Sequence, residues 1–256
     1  MEHPVTRGMD IDDPSTTELR NAIIESKPLL KSIYEDWYAL ICNHLPDVNG
    51  PVLELGSGAG FLRSRIPSLI TSEVFPCRNA RLLLDGQSLP FRSQSLRAVV
   101  MTNVLHHIPR PEAFLSEAGR CLLPGGAVLM IEPWVSDWSR IVYRYLHHEP
   151  FHTDQQEWSH RFGGPLSGAN GAMPWIIFER DRQRFERQFP LFSIERVQPI
   201  MALRYLWSGG VSMRQLLPSS ANGMCVSLER GLQPWIKSLA MFAFVAVSRR
   251  SQGAFQ

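Results

Sequence analysis

The sequence has 256 residues, of which 44% are hydrophobic and 20% are charged, and its formal net charge is +2. This composition is typical of a globular protein. The net charge is too small to create the field that attracts nucleic acid or an anionic membrane surface, so the composition predicts neither partner.

The cysteines and the apolar runs indicate the cellular location that the sequence predicts. The cysteines Cys42, Cys77, Cys121 and Cys225 form no C-x-x-C pair. Their spacing predicts neither a zinc site nor a disulfide framework, and it favours a reducing, cytoplasmic location. The polar N-terminal residues do not resemble a signal peptide. The longest apolar run near the C-terminus, residues 239–247, is too short to cross a bilayer, so no membrane span is predicted.

Two helices are predicted before the first strand. Apolar residues recur at helical spacing over residues 15–26 and 28–44, and Pro28 separates the two patterns. These helices either cover a ligand site or pack on the sheet.

The strongest motif is V-L-E-L-G-S-G-A-G at residues 52–60. Residues 52–55 are predicted to form a short buried strand. Gly56, Gly58 and Gly60 follow it directly. Glycine permits a sharp turn and the close approach of a ligand that a Cβ atom would block. The motif therefore predicts a ligand-binding turn.

A helix is predicted over about residues 61–68, with its amide-rich N-terminus directed at the same turn. A dinucleotide-binding protein is one alternative, but its fingerprint would need a glycine where Phe61 stands. The other alternative is an ordinary corner between a strand and a helix.

Two acids end the next predicted strands. Residues 69–74 are predicted to form the second strand, which places Glu73 at its carboxyl end, where a carboxylate can bind a ribose diol. Residues 80–85 are predicted to form the third strand, with Asp85 at its end and Gly86 next. The alternative for Asp85 is a turn-capping aspartate before glycine.

Polar residues also follow the fourth predicted strand, residues 96–101. Ligands of open parallel sheets lie beyond the carboxyl ends of the strands, so Asn103 is predicted to contact the ligand. His106 and His107 are candidate general bases, because a free imidazole titrates near pH 6.5. Alternatively, one histidine holds the loop through packing and a hydrogen bond.

The predicted strands alternate with helical segments. An amphipathic helix is predicted over residues 111–121 and a fifth strand over residues 127–132. This alternation favours an α/β fold with a doubly wound, mainly parallel sheet.

Four motifs together resemble those of the class I S-adenosylmethionine-dependent methyltransferases. They are the G-x-G-x-G turn preceded by an acid, D-x-x-x-L-P-F, N-x-L-H-H-x-P and L-x-P-G-G. The resemblance implies a Rossmann-like seven-stranded sheet with an antiparallel last strand, and S-adenosyl-L-methionine as cofactor. The cofactor-binding residues that it implies are Glu54, Gly56, Ser57, Gly58, Gly60, Glu73, Asp85, Gly86 and Asn103.

A long segment, residues 134–190, follows the fifth strand and is rich in aromatic residues. We interpret it as a substrate lid with a glycine-rich flap, since variable recognition tends to lie on loops. The alternative is a packed structural excursion. If the segment is a lid, deleting residues 163–171 should abolish turnover and spare cofactor affinity.

This segment also carries His147 and His148, which are further candidate catalytic bases, with Glu149 beside them. Adjacent histidines on a helix point in different directions, so no metal site is predicted there.

The C-terminal part predicts a sixth strand over residues 192–197, a helix over 222–237 broken near Pro234, and a last strand over 241–248. We therefore predict a single domain, residues 1–256. Its parts are an N-terminal helical cap (15–45), a cofactor-binding core (51–133), the lid (134–190) and C-terminal strands with a helix (191–250).

The predicted function is methyl transfer from S-adenosylmethionine to O, N or C of a small, partly apolar biosynthetic metabolite. A non-catalytic cofactor-binding assembly or regulatory protein is the first alternative. A nucleotide-dependent oxidoreductase on the same fold is the second.

Overall fold

The buried apolar runs of the sequence form one mixed sheet in the computed structural model. The structure describes residues 10, 12–58, 61–146, 149–160, 163–164 and 166–251. Its strands are β1 Val52–Leu55, β2 Ile70–Glu73, β3 Leu82–Leu83, β4 Leu96–Thr102, β5 Leu122–Pro133, β6 Phe192–Ile200 and β7 Phe242–Arg249.

These strands lie in the order β3-β2-β1-β4-β5-β7-β6. Neighbouring strands from β3 to β5 pair in parallel, whereas β7 runs antiparallel to both β5 and β6. This topology confirms the predicted doubly wound α/β, Rossmann-like seven-stranded sheet with an antiparallel last strand. The strand order reverses between β1 and β4, and a crevice opens beyond their carboxyl ends.

Helices cover both faces of the sheet. They are α1 Pro14–Ser26, α2 Pro28–Asn43, α3 Pro111–Cys121, α4 Asp137–Leu146, α5 Met173–Trp175, α6 Arg182–Gln188, α7 Arg204–Ser208, α8 Asn222–Gly231 and α9 Ile236–Leu239. Buried residues of α2 and α4 share one apolar cluster with the sheet, while α3, α5 and α6 share another cluster with it.

The two predicted N-terminal helices are confirmed as α1 and α2. Asp13 caps α1, since its side chain accepts a hydrogen bond from the Ser15 backbone N–H at 2.8 Å. Pro28 begins α2, where the missing amide N–H of proline costs nothing.

The helix predicted after the glycine turn, over residues 61–68, is wrong. The described residues there contain only a 3₁₀ turn, Leu62–Ser64. Pro67 cannot continue a helix, and Leu69 is already fully buried just before β2 begins. The connection is too short for a helix, so no helix N-terminus faces the turn in the described part of the chain.

The third and fifth strands differ from the predicted bounds. β3 contains only Leu82 and Leu83, because it is an edge strand paired on one side with β2. β5 is longer than predicted and begins at Leu122, immediately after α3, so the L-x-P-G-G motif lies inside the strand. The pairing of β4 with β5 shifts in register between Leu96 and Ala98, which accommodates the two glycines of the motif.

The aromatic residues of the segment 134–190 lie mostly in the core. Trp158, Phe178 and Phe185 are each no more than 1% exposed, and they belong to the apolar cluster that contains Phe114 of α3. This packing supports the alternative interpretation for these side chains, and a lid role for the rest of the segment stays a prediction.

The predicted C-terminal elements are present. The helical region breaks at a 3₁₀ turn, Gln233–Trp235, which contains Pro234 and separates α8 from α9. None of the described helices combines the length and the apolar character that crossing a bilayer requires.

One glycine of the L-x-P-G-G motif is required by close packing. A Cβ atom on Gly126 would lie 2.8 Å from the Arg97 carbonyl oxygen and 2.9 Å from the Leu123 carbonyl oxygen. We expect Gly126→Ala to lower the free energy of unfolding by about 1–3 kcal/mol, since the backbone must move. Thermal or denaturant unfolding measures the change.

Gly223 of α8 is the matched control, because a Cβ atom added there would meet nothing within 4 Å. Gly223→Ala should stabilise the protein by roughly 0.5–1 kcal/mol, as expected for alanine in a helix. Equal effects at the two positions would contradict this account of the strand.

Candidate active site

A cavity of about 430 Å³ lies beyond the carboxyl ends of β1, β2 and β4. The loops after these strands form one side of it. The other sides come from α1, α2, α4, the loop before α5 and the chain around α7. The lining residues include Arg20, Tyr34, Tyr38, Glu54, Gly56, Ser57, Gly58, Glu73, Asp85, Gly86, Asn103, His106, His107, Tyr143, Glu149, Leu166 and Tyr205.

Among the described residues, therefore, every predicted cofactor-binding residue lines this one cavity. Gly60, His147 and His148 lie outside the described residues, so the predictions made for them stay predictions.

The glycine turn has the backbone conformation that the motif predicts. Gly56 and Gly58 have φ angles of +62° and +43°, which L side chains rarely adopt. A Cβ atom on Gly56 would also lie 2.5 Å from Cγ2 of Val104. Gly56 therefore has to be glycine, both for its conformation and for its contact with the loop after β4.

Two serines hold the turn against β2. The Ser57 N–H donates to the Ser72 carbonyl oxygen at 2.9 Å, and the Ser72 N–H donates to Ser57 Oγ at 2.9 Å. The Ser72 hydroxyl in turn donates to the Glu54 carbonyl oxygen at 2.7 Å. These bonds stabilise the turn where the expected helix is absent.

Glu54 has a carboxyl group that is buried and incompletely paired. The residue is 4% exposed, and burial raises its pKa to about 8, against the effect of the nearby Ser57 hydroxyl. Its Oε2 atom has no hydrogen-bond partner among the described residues. A cation placed beside this carboxyl group would favour its ionised form.

Glu73 lies at the carboxyl end of β2, as predicted. Its Oε1 atom accepts a hydrogen bond from the Gly58 N–H at 2.7 Å. Burial raises the pKa of Glu73, while the Gly58 and Val74 amides and the charge of Arg20 oppose that shift. The carboxyl group thus links the end of β2 to the glycine turn.

Asp85 combines the two interpretations considered for it. Its carboxylate accepts hydrogen bonds from the Gln87 backbone N–H at 2.8 Å and from the Gln87 side chain, as a turn-capping aspartate does. The residue lines the cavity. Gly86 is buried beside it, and a Cβ atom added to Gly86 would lie 3.4 Å from Cδ1 of Leu55.

Asn103 is the residue at which the chain leaves β4. It has a φ of +56°, a conformation that asparagine tolerates better than most residues, and its N–H donates to the Ile131 carbonyl oxygen at 2.8 Å. The buried Oδ1 atom accepts no hydrogen bond from the described residues.

His106 is held between two carboxylates. Its Nδ1 atom lies 2.7 Å from Oε2 of Glu132, and its Nε2 atom lies 3.5 Å from Oε2 of Glu149. Burial opposes the imidazolium charge, but the hydrogen bonds with these two carboxylates prevail and raise the pKa to about 9. In this arrangement His106 keeps its proton at neutral pH and is not a free base.

His107 has the opposite electrostatics. Burial and the neighbouring charge of His106 lower its pKa to about 3, so its ring is neutral and only weakly basic. Its Nδ1 atom lies 3.2 Å from the Gly168 carbonyl oxygen, which accepts the hydrogen bond. The two rings are 4.1 Å apart between centroids. General-base catalysis by either histidine stays a prediction.

Several residues of the site were missed by the sequence reasoning. Glu132 contacts His106, and Arg20 of α1 also lines the cavity. Glu149 was considered only together with His147 and His148, whereas the structure places it beside His106. The wall also contains four tyrosines, whose pKa values are all raised by burial: Tyr34, Tyr38, Tyr143 and Tyr205. Because Glu132 ends the fifth apolar run, the sequence could have indicated an acid at the site. The tyrosines reach the cavity through tertiary packing, which no sequence pattern indicates.

Comparisons with known proteins bear on the class of this site. A family model described as a methyltransferase domain matches residues 53–130. No curated protein matches the sequence.

Among solved structures, one chain of the complex between the Haloferax volcanii Trm112 methyltransferase activator and a methyltransferase has a TM-score of 0.56 at 13% identity. The match covers 96% of this chain and 100% of that one. A Thermotoga maritima S-adenosylmethionine-dependent methyltransferase has a TM-score of 0.51 at 15% identity, with coverage of 90% and 99%. At these identities the likeness concerns the fold.

Residues 53–130 match a methyltransferase domain, and the topology is the Rossmann-like fold of the class I S-adenosylmethionine-dependent methyltransferases. The protein is an enzyme of this class, and S-adenosyl-L-methionine is its cofactor.

The cavity residues fit this cofactor. Glu54 Oε2 and Asn103 Oδ1 are buried acceptors without a donor among the described residues, and the cofactor carries ammonium, amino and hydroxyl donors. Gly58 lines the cavity, and among the described residues a Cβ atom added to it would meet only the Gly56 carbonyl oxygen, at 3.8 Å, so the backbone is open to a ligand.

The pKa of Glu54 makes stability depend on pH. Because its folded-state pKa of about 8 lies above the ordinary value of 4.5, the cofactor-free protein should lose stability as pH rises between these two values. Glu54→Gln should remove that loss, which is on the order of a few kcal/mol. Thermal unfolding at pH 5 and pH 9 measures it.

Glu35→Gln is the control, since Glu35 is exposed on α2. It should leave the pH profile of stability unchanged. If Glu54→Gln and the parent protein show the same profile, Glu54 is not the buried acid described here.

Proposed function

We propose that this methyltransferase transfers the methyl group to a small, partly apolar biosynthetic molecule. The observation that carries the proposal is a single cavity that is lined both by carboxyl groups and by tyrosines. Glu54, Glu73 and Asp85 are among the former, and Tyr143 and Tyr205 are among the latter.

The surroundings of the cavity favour a small acceptor. Helices α1 and α2, the loop before α5 and the chain after α7 all contribute to its wall. Its volume falls within the range of small-molecule sites, about 300–1,000 Å³. The four cysteines are free thiols, which fits the cytoplasmic location that we propose.

We assign the cofactor-binding roles by position in the cavity. Glu54, with the turn Gly56, Ser57 and Gly58, would hold the methionyl end. Glu73 would hold the ribose, Asp85 with Gly86 would hold the adenine, and Asn103 would also contact the cofactor. Gly60 belongs to the same assignment through the motif alone.

Methyl transfer depends more on the alignment of the reactants than on a general acid or base. When bound, S-adenosylmethionine supplies an electrophilic methyl group on a sulfonium. The chain's own residues hold and align the reactants and exclude water, and alignment alone supplies roughly 7–11 kcal/mol in favourable cases. The tyrosines, of which Tyr38 and Tyr143 are buried, form a wall suited to an apolar acceptor, and the acceptor atom can be O, N or C.

Two alternatives make different predictions for the same measurements. A non-catalytic cofactor-binding protein would bind S-adenosylmethionine and release no S-adenosylhomocysteine with any acceptor. A nucleotide-dependent oxidoreductase would bind NAD, although Phe61 stands where its fingerprint needs glycine.

Calorimetry with S-adenosylmethionine and with NAD tests the assignment. We expect binding of the former alone. Gly58→Val should weaken it at least about tenfold, equivalent to 1.4 kcal/mol, because a branched side chain enters the cavity and strains a left-handed turn. Asp85→Ala should weaken it as well.

The exposed Asp47, which does not line the cavity, provides the control Asp47→Ala, whose affinity should equal that of the parent chain. Unchanged affinity in Gly58→Val would remove the basis of the cofactor assignment. Release of S-adenosylhomocysteine over a panel of acceptors then separates the enzyme from an inert binder.

We also propose that residues 163–164 and 166–168 form the flap over the acceptor. Asp12 accepts hydrogen bonds from the Leu166 N–H at 2.7 Å and from the Ser167 N–H and hydroxyl, and His107 contacts Gly168. Leu166 lines the cavity. The flap is therefore tied to the chain before α1 and to the loop after β4.

Asp12→Ala tests this role without deleting the segment. It removes three hydrogen bonds, each worth about 1 kcal/mol, from the flap alone. We expect kcat/KM for the acceptor to fall by about tenfold or more, while the Kd for S-adenosylmethionine changes little. Steady-state kinetics and calorimetry measure the two effects, again with Asp47→Ala as control. Unchanged kcat/KM would reject the flap.

A further inference from the structure

Three side chains converge on one point in the cavity wall. His106, His107 and Glu149 each offer a ligand atom, and these atoms all lie within 4.8 Å of one another. His106 Nε2 and Glu149 Oε2 are already 3.5 Å apart. The three residues line the same cavity as the glycine turn.

The second nitrogen of each histidine is engaged elsewhere. His106 Nδ1 contacts the Glu132 carboxylate at 2.7 Å, and His107 Nδ1 contacts the Gly168 carbonyl oxygen at 3.2 Å. Histidines that bind metals have this arrangement, because a carboxylate or carbonyl oxygen accepts the other N–H and orients the ring. A metal ion bound by the two Nε2 atoms would displace the proton that His106 holds against Glu149.

We propose that His106, His107 and Glu149 bind one divalent transition-metal ion, with its remaining coordination positions open to the cavity. If the proposed function is correct, those positions take an oxygen atom of the acceptor. The acceptor class would then be a molecule with a hydroxyl or carboxylate oxygen, which the ion orients.

The ligand set selects the kind of ion. Two imidazole nitrogens and one carboxylate suit Zn²⁺, Fe²⁺, Co²⁺ or Mn²⁺, whereas Mg²⁺ and Ca²⁺ prefer oxygen ligands alone. With bonds of about 2.0–2.2 Å, ligand atoms around such an ion lie about 3 Å apart. The three side chains therefore need to close by no more than about 2 Å.

The charges of the site also balance. Glu149 would bind the ion directly, whereas Glu132 would hydrogen-bond to its ligand His106. Two carboxylates therefore lie close to a doubly charged ion. Glu132 is fully buried and also accepts the Val104 and Leu105 backbone N–H groups at 2.8 Å each, which holds His106 in one orientation. The metal site would be rigid on the β4 and β5 side and closed by Glu149.

Titration of the purified full-length protein with Co²⁺ tests the site through the visible absorption of the bound ion. We expect one equivalent per chain, displaced by Zn²⁺ and not by Mg²⁺. Glu149→Gln and His107→Ala should each weaken Co²⁺ binding at least about tenfold. Removing a residue that only hydrogen-bonds to a metal ligand already weakens binding by roughly tenfold or more, and these two residues would bind the ion directly. Circular dichroism and thermal unfolding of each variant show that it is folded.

His44→Ala is the matched control, because His44 follows α2 and does not line the cavity. It should bind Co²⁺ as the parent chain does. Absence of stoichiometric Co²⁺ binding, equal displacement by Mg²⁺, or unchanged affinity in both site variants would each overturn the proposal. Specific Co²⁺ binding without any methyl transfer supports the metal site and rejects only the proposed function.

Discussion

The site depends above all on the buried carboxylate of Glu132. Its two oxygens accept hydrogen bonds from the Val104 and Leu105 backbone N–H groups and from His106, so the end of β5 fixes the loop after β4. Each of these buried donors would cost about 1–3 kcal/mol if left without an acceptor. The position of His106, and through Val104 the packing against Gly56, both follow from this one side chain.

Much of the fold could be predicted from local pattern. Short apolar runs are enough to predict strands β1 and β4. Single residues mark two boundaries, namely the proline that begins α2 and the acid that ends β2. The cofactor half of the site follows from these elements, because the carboxyl ends of adjacent parallel strands meet at one edge of the sheet. The helix predicted after the glycine turn was wrong because Pro67 and the early start of β2 override the usual pattern of the family.

The acceptor half of the site could not be predicted in the same way. Glu132 and Glu149 meet His106 only because β5 lies beside β4 and the chain after α4 returns to that edge. Arg20 and the tyrosines reach the cavity from helices whose periodicity indicates which face is buried but not what lies opposite. The aromatic residues after β5 show the same difficulty, since burial in the core and contact with a ligand call for identical residue types.

The N-terminal helices and the chain around α7 meet beside the cavity. Lys27, between α1 and α2, is buried and donates a hydrogen bond through Nζ to the Gly210 carbonyl oxygen at 2.8 Å, and Arg204 pairs with Asp36 at 2.7 Å. Segments more than 160 positions apart in sequence must therefore come together before the binding site is complete. A ligand that selects the folded form shifts the unfolding equilibrium by mass action. Binding of the cofactor should therefore raise the free energy of unfolding, and a shortage of cofactor should leave more of the chain unfolded.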